Sequence, residues 1–318
     1  MEKTLLEKYT TTFGCRFTRS QKKKFLSALH EDMSALGYSS EMILGKKLVS
    51  RSNSYLFGNL KQAKTLIVVP YDTPEKKFWN KVLYFPMDGT KTASKTMMAT
   101  YVPLLIVFAF VFVGVYLVQP RLTSNIANFS LSLVMFILTF TLVYMMLHGF
   151  RNKNNFNRNS ASISAVVEIA RKLDKDERRK VAFLFTDKNK LHFLGADSSM
   201  KYFTENGKNP NLICFDCIAN GSQTRIGYNP QNRKLAADIV KHFPQKKHTV
   251  ETVKLSEDMR MQSAMSFFKK AVLISSGEVD KDGNLYVLGT GTGKDTVIDE
   301  KKLDEITEMM VRYLHNEK

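Results

Sequence analysis

The sequence predicts an α/β fold in which a mixed, mostly parallel sheet flanked by helices is interrupted by a two-helix transmembrane hairpin. Short apolar runs that read as strands buried on both faces alternate with helical runs, the pattern of a sheet covered on each side. Two uncharged stretches of membrane-spanning length break that alternation after the second strand. The 318 residues are 44% hydrophobic and 24% charged, an ordinary globular composition. It excludes whole-chain disorder, a collagen-like repeat and a disulfide-stapled miniprotein.

Each element follows from its own pattern. Residues 18–36 place Phe25, Leu26, Leu29, Met33 and Leu36 at helical spacing, and Gly37 stops the helix. Residues 47–49 with 54–57, and then TLIVVP at 65–70, read as buried strands. The run 97–119 (MMATYVPLLIVFAFVFVGVYLVQ) carries no charge, and a helix needs roughly 20 apolar residues to cross the hydrocarbon core. A tight turn at 120–125 leads to a second span at 126–148. Beyond it come a helix at 162–173, a strand at 180–186, a helix at 196–205 and a strand at 211–215. Helices at 230–242 and 259–268, a strand at 271–275 and a helix at 300–316 complete the chain. Strands on both sides of the hairpin are needed to finish one sheet. Residues 1–96 and 150–318 are therefore expected to form a single discontinuous domain.

All-round hydrophobicity over such lengths argues against two core helices, and a run that begins only at Met97 is not a signal peptide. Lys76, Lys77, Lys81, Lys91 and Lys95 precede the first span, Arg151, Lys153 and Arg158 follow the second, and the connecting loop holds Arg121. The basic excess marks the cytoplasmic side. A multi-pass protein of the cell membrane with both termini cytoplasmic is expected. Three cysteines, an odd count, suit a reducing compartment.

The net charge is +17. Basic clusters fall at Lys22-Lys23-Lys24, 151–158, Arg178-Arg179-Lys180 and Lys246-Lys247. No helix-turn-helix, RNP or finger pattern accompanies them, so no nucleic-acid partner is expected. Near the spans the partner is the bilayer and its anionic lipids, worth about 1 kcal/mol per basic group; the remoter clusters read as solvated charge. Cys214-Phe215-Asp216-Cys217 has C-x-x-C spacing, but with no second pair it reads as buried small residues whose thiols point to opposite faces of a strand. An unorthodox metal site of His192, Cys217 and Asp216 is the alternative. The run 289–294 (GTGTGK) fails the phosphate-loop pattern at Leu288 and Asp295 and reads as a turn.

Five segments, TLIVVPYDT (65–73), NSASISAVVEIARK (159–172), VAFLFTDKNKLHFLGA (181–196), NLICFDCIA (211–219) and GTGKDTVID (291–299), carry a family resemblance. In this order they resemble the signature segments of the two-zinc aminopeptidases, metallopeptidase family twenty-eight, which includes leucyl aminopeptidase and glutamate carboxypeptidase. The resemblance implies a zinc-aminopeptidase-like fold with a degenerate metal site. The family's zinc-binding His in H-x-D matches Pro70, leaving Asp72. Its bridging Asp matches Arg158. In the stretch that begins at Asp187, the family's general base matches Asn189 and the adjacent ligand matches Lys190. The ligand at the next strand end is retained as Asp216, and the final His matches Gly291.

One ligand position of five survives, and two have become cations. A hydrolytic zinc needs about three protein ligands and a base for its water. The residues therefore point to no catalytic group, no metal and no cofactor, and to a cleft in which Arg158 and Lys190 let Asp72, Asp187 and Asp216 stay ionised. The expected protein is a membrane-anchored, catalytically inactive aminopeptidase-like binding or scaffold module at the cytoplasmic face, with a peptide or membrane-protein partner. One alternative is an active membrane-bound metallo-aminopeptidase with rearranged ligands, which would need zinc. The other is a structural subunit of a membrane complex.

Overall fold

The computed structural model describes residues 3–48, 50–76, 82–188, 193–244 and 248–316. Its centre is four parallel strands. Thr65–Pro70 (β3) pairs with Val181–Thr186 (β5) on one side and with Asn211–Phe215 (β6) on the other, and β6 pairs with Ala271–Val279 (β9). Within β3, Leu66 and Val68 face one core and Ile67 and Val69 the other. An apolar run without polar alternation thus folds as a strand covered on both sides.

On the first face, Phe25, Leu29 and Met33 of the helix Arg19–Ala35, Ile163 and Val166 of Ala161–Lys172, and Ile306 and Met310 of Glu300–Asn316 cover the sheet. On the second face, Ala196 and Phe203 of Leu194–Glu205 pack with Met265 and Phe268. Antiparallel pairs extend this centre on both sides. Ser40–Lys47 (β1) and Ser50–Phe57 (β2) form a hairpin that adds to β5. At the other end Gln223–Tyr228 (β7) pairs antiparallel with β9 and parallel with Thr249–Lys254 (β8), while Leu83–Tyr84 (β4) pairs antiparallel with Leu285–Leu288 (β10).

The structure revises several expectations. Of the strand read at 47–49, Lys47 ends β1, which begins at Ser40, Leu48 lies in a turn at φ of 50°, and Val49 lies outside the described residues. The helix expected at 259–268 is a short helix, Glu257–Arg260, followed by a 3-10 turn at Ala264–Ser266. Gln262, with φ of 54°, breaks the helical path between them. Cys217 lies past the end of β6 with φ of 55°, so the argument from opposite strand faces does not apply to it. Lys77, Lys81, Lys246 and Lys247 lie outside the described residues.

The apolar runs form two long helices. The first begins at Gly89, eight residues before the uncharged stretch, because Asp88 caps it by accepting from the Lys91 N–H at 2.8 Å. It continues from Val113 through a π-helical turn, Gly114–Val118, to Arg121. The second spans Asn125–His148. By length and composition Gly89–Arg121 and Asn125–Tyr144 can cross a membrane, and only 6% of either apolar window is buried. The helices meet where Gly114 leaves room for Met135; a Cβ at Gly114 would lie 2.5 Å from Met135 Cε. The roots of the hairpin are pinned together, with Lys76 N–H donating to Phe150 O at 2.8 Å beside a bridge between Glu75 and Arg151.

Candidate functional site

The parallel register brings the carboxyl ends of β3, β5 and β6 to one edge, with Pro70 opposite Thr186 and Val68 opposite Cys214. Among the parallel strands, β3 is followed in the chain by β5 on one side, whereas β6 is followed by β9 on the other, so the order reverses between β3 and β6. In open α/β sheets such a switch point, outside the carboxyl ends of the strands, is where ligands bind. Tyr71-Asp72, Asp187 and Asp216 continue from these strand ends. Pro70, Asp72, Arg158 and Asp216 line one cavity of about 180 Å³ with Tyr84, Phe193 and Met265.

Arg158 reaches this edge from the π-helical turn Phe156–Ser160 at the start of the helix Ala161–Lys172. Buried side chains hold the turn. Asp295 accepts from the Asn157 N–H at 2.8 Å and the Arg158 N–H at 3.2 Å. Asn157 Oδ1 accepts from Ala219 N–H at 2.8 Å, and Asn159 Nδ2 donates to the Asp72 carbonyl. Burial pushes the Asp295 carboxyl up to about 6, even though both amides favour its charge.

From this base Arg158 Nη1 donates to Asp216 Oδ1. The guanidinium lies over the Tyr84 ring at 3.9 Å from its centroid, and the Tyr84 hydroxyl donates to Asp216 Oδ2 at 2.5 Å. Both oxygens of Asp216 are thus engaged. Burial opposes the charge of Arg158, but Tyr84, Cys217, Asp72 and Asp295 outweigh it and hold the guanidinium above its ordinary value. Burial pushes the Tyr84 hydroxyl up to about 12 and the Cys217 thiol, 3.8 Å from Arg158 Nη1, to about 12 as well. Neither is a ready nucleophile at neutral pH.

Asp187 has a separate cation. Lys22, from the helix Arg19–Ala35, donates its Nζ to Asp187 Oδ1, and the two side chains are 15% and 7% exposed. The remaining oxygen faces the Asn53 N–H at 3.4 Å. Lys22 is therefore not part of a solvated cluster, and Asp187 belongs to this pair rather than to the cavity lining. Beside it Arg16, fully buried, ties the N-terminal segment to the edge by donating Nε to Tyr71 O at 2.6 Å and Nη1 to Ser160 Oγ at 3.1 Å.

Of the residues picked out in the sequence, Asp72, Arg158 and Asp216 converge with Pro70. Gly291 sits in a turn at φ of 72° and does not line the cavity. Asn189, Lys190 and His192 lie outside the described residues. Among the described residues no three of His, Cys, Asp and Glu come together to hold a metal ion. The donor set present does not fit zinc, because the carboxylates at the edge face a guanidinium and an ammonium. Tyr84, Met265 and Lys22 were not expected in the site. Lys22 had a signal, for it shares the helical face of Phe25, Leu29 and Met33; Tyr84 had none.

With this geometry the chain superimposes on solved structures of zinc exopeptidases and related enzymes. Tannerella forsythia glutaminyl cyclase aligns at a TM-score of 0.60 with 12% identity, over 99% of this chain and 97% of that one. A Zn-dependent exopeptidase from Parabacteroides distasonis aligns at 0.58 and 13%, over 98% and 96%. The LapA aminopeptidase of Legionella pneumophila aligns at 0.56 and 10%, over 98% and 68%. The fold is aminopeptidase-like. No protein-family model matches the sequence, and no curated protein sequence matches it.

Proposed function

We propose that this aminopeptidase-like chain is a membrane-anchored pseudopeptidase, a non-catalytic module that binds a peptide or a membrane-protein partner at the cytoplasmic face. One observation carries the reading. Asp216, the one retained ligand position, is closed by Arg158 and the Tyr84 hydroxyl, where a metallopeptidase would need it open to metal. A cation fixed by the chain takes over the neutralising role of a metal but supplies neither a bound water nor a vacant coordination position. The apolar helices support anchoring, since their large side chains, among them Phe108, Phe112, Phe136 and Phe140, are exposed and would be solvated by lipid. Lys91, Lys95, Arg151 and Lys153 at the hairpin roots fit anionic headgroups.

Metal analysis of the purified full chain, together with an assay on a panel of aminoacyl substrates, tests the inactive reading. Sub-stoichiometric zinc and no turnover are expected. Stoichiometric zinc with turnover abolished by Asp216→Ala would establish the active alternative. For anchoring, a cysteine introduced at Ser124, in the hairpin turn, is expected to react with an impermeant reagent added outside the cell; labelling only after permeabilisation overturns the topology.

A further inference from the structure

The cavity shares a wall with the root of the hairpin. Gly89 and Thr92, in the first turns of the long helix, line it with Tyr84 and Phe85. That root is fixed to the opposite wall. The Thr90 hydroxyl donates to Asp258 O at 2.7 Å, and Gly89 packs so closely on Met261 that a Cβ would lie 2.0 Å from its carbonyl oxygen. The Thr92 hydroxyl bonds the Phe85 carbonyl and N–H, each at 2.9 Å. The first turn of the hairpin and the cavity wall are therefore held together.

Thr92 precedes Met97, the start of the uncharged run, by five helical residues, a rise of about 7.5 Å. The headgroup layer on each side of the hydrocarbon core is about 5–8 Å thick. On the membrane-anchored reading above, the cavity consequently opens at the level of the lipid headgroups.

The cavity lining combines two chemistries. Val68, Phe193, Met265 and Leu273 make it apolar, whereas Arg158 and Asp216 present donors and acceptors. A cavity of about 150 Å³ lined by apolar side chains holds one benzene, so about 180 Å³ takes one leucine- or phenylalanine-sized group and is too small for a full acyl chain. Arg158 spends Nη1 on Asp216, and a guanidinium carries five N–H donors, enough to engage a peptide carbonyl as well.

We infer that the site takes a large apolar side chain from a polypeptide segment presented at the membrane surface, with the hairpin root as one wall of the pocket. The inference rests on the proposed anchoring and deepens it by naming the ligand class: the juxtamembrane stretch of a membrane-held peptide.

The test uses the full chain in vesicles of phosphatidylcholine and phosphatidylglycerol, with p-benzoylphenylalanine replacing Gln262, an exposed residue at the cavity rim. The probes are palmitoylated peptides that carry leucine or aspartate three residues from the lipid, a tether of about 10 Å, or on a long flexible tether. The short-tethered leucine peptide is expected to crosslink about tenfold or more above its aspartate twin, the factor that burying a leucine side chain supplies. Ala264→Leu, which fills the cavity from a half-buried position, should abolish the difference. Equal labelling of leucine and aspartate peptides overturns the apolar pocket, labelling by the long tether alone overturns its place at the membrane surface, and crosslinks to lipid in place of peptide overturn the ligand class. Cleavage of the probe, read by mass spectrometry, would overturn the inactive reading of the protein while leaving the pocket assignment standing.

Discussion

Arg158 Nη1 donates to Asp216 Oδ1 across the carboxyl end of the sheet, with side chains 17% and 15% exposed. The pair joins the turn that follows the hairpin to the end of β6. Both residues also line the cavity.

Breaking this pair should be costly. Arg158→Met leaves Asp216 with the Tyr84 hydroxyl alone and is expected to destabilise the chain by about 3–5 kcal/mol, the usual effect of stranding one buried partner. The double variant Arg158→Met/Asp216→Asn should recover most of that loss. Thermal unfolding in detergent, followed by circular dichroism, measures both.

Reversing the charge should do something different. Arg158→Asp would place a third carboxylate beside Asp216 and Asp72, the latter close enough to bias the charge of Arg158. Such a set suits a divalent cation. We expect Mn²⁺ or Zn²⁺ to raise the Tm of this variant by several degrees, as binding to the native state alone requires, and to leave the parent unchanged.

Three adjacent lysines should behave unequally. Lys22→Ala removes the cation from Asp187 and is expected to cost about 3 kcal/mol. Lys23→Ala and Lys24→Ala, both at exposed positions, should fall within about 0.5 kcal/mol of the parent. Equal effects at all three positions would contradict the inward placement of Lys22.

Asp295 gives a pH signature. Its carboxyl is raised from 3.8 to about 6 by burial, so the folded state favours the protonated form. Its contribution to stability is complete below 3.8 and is lost as the pH rises through about 6. A ¹³C-carboxyl titration should place its midpoint near 6. Relative to Asp295→Asn, the parent should gain Tm as the pH falls from about 7 to 4; a loss over that interval would reverse the sign.

The central strands were legible because TLIVVP, VAFLFT and NLICF are apolar on both faces, which leaves a sheet interior as their natural place. The edge was not. TVETVK in β8 has an exposed or half-buried residue at every position, so its pairing is fixed by β7 and not by a pattern of its own. The site divides in the same way. Asp72, Arg158 and Asp216 could be picked out through the family resemblance of the segments that hold them, and the parallel sheet brings the ends of those segments together. Tyr84 stands on a two-residue strand whose place is set by β10. No local signal announces a strand that short.

The sheet order also sets a schedule for the growing chain. β5 lies between β2 and β3, which are made earlier and do not pair with each other. At about 5–20 residues per second, the roughly 110 residues from the end of β3 to the start of β5 take some 5–20 s to synthesise. Throughout that interval β2 and β3 wait with open edges while both apolar helices leave the ribosome. On the proposed anchoring, both apolar helices reach the bilayer before the sheet can close, and the pocket is assembled on a chain that is already moored.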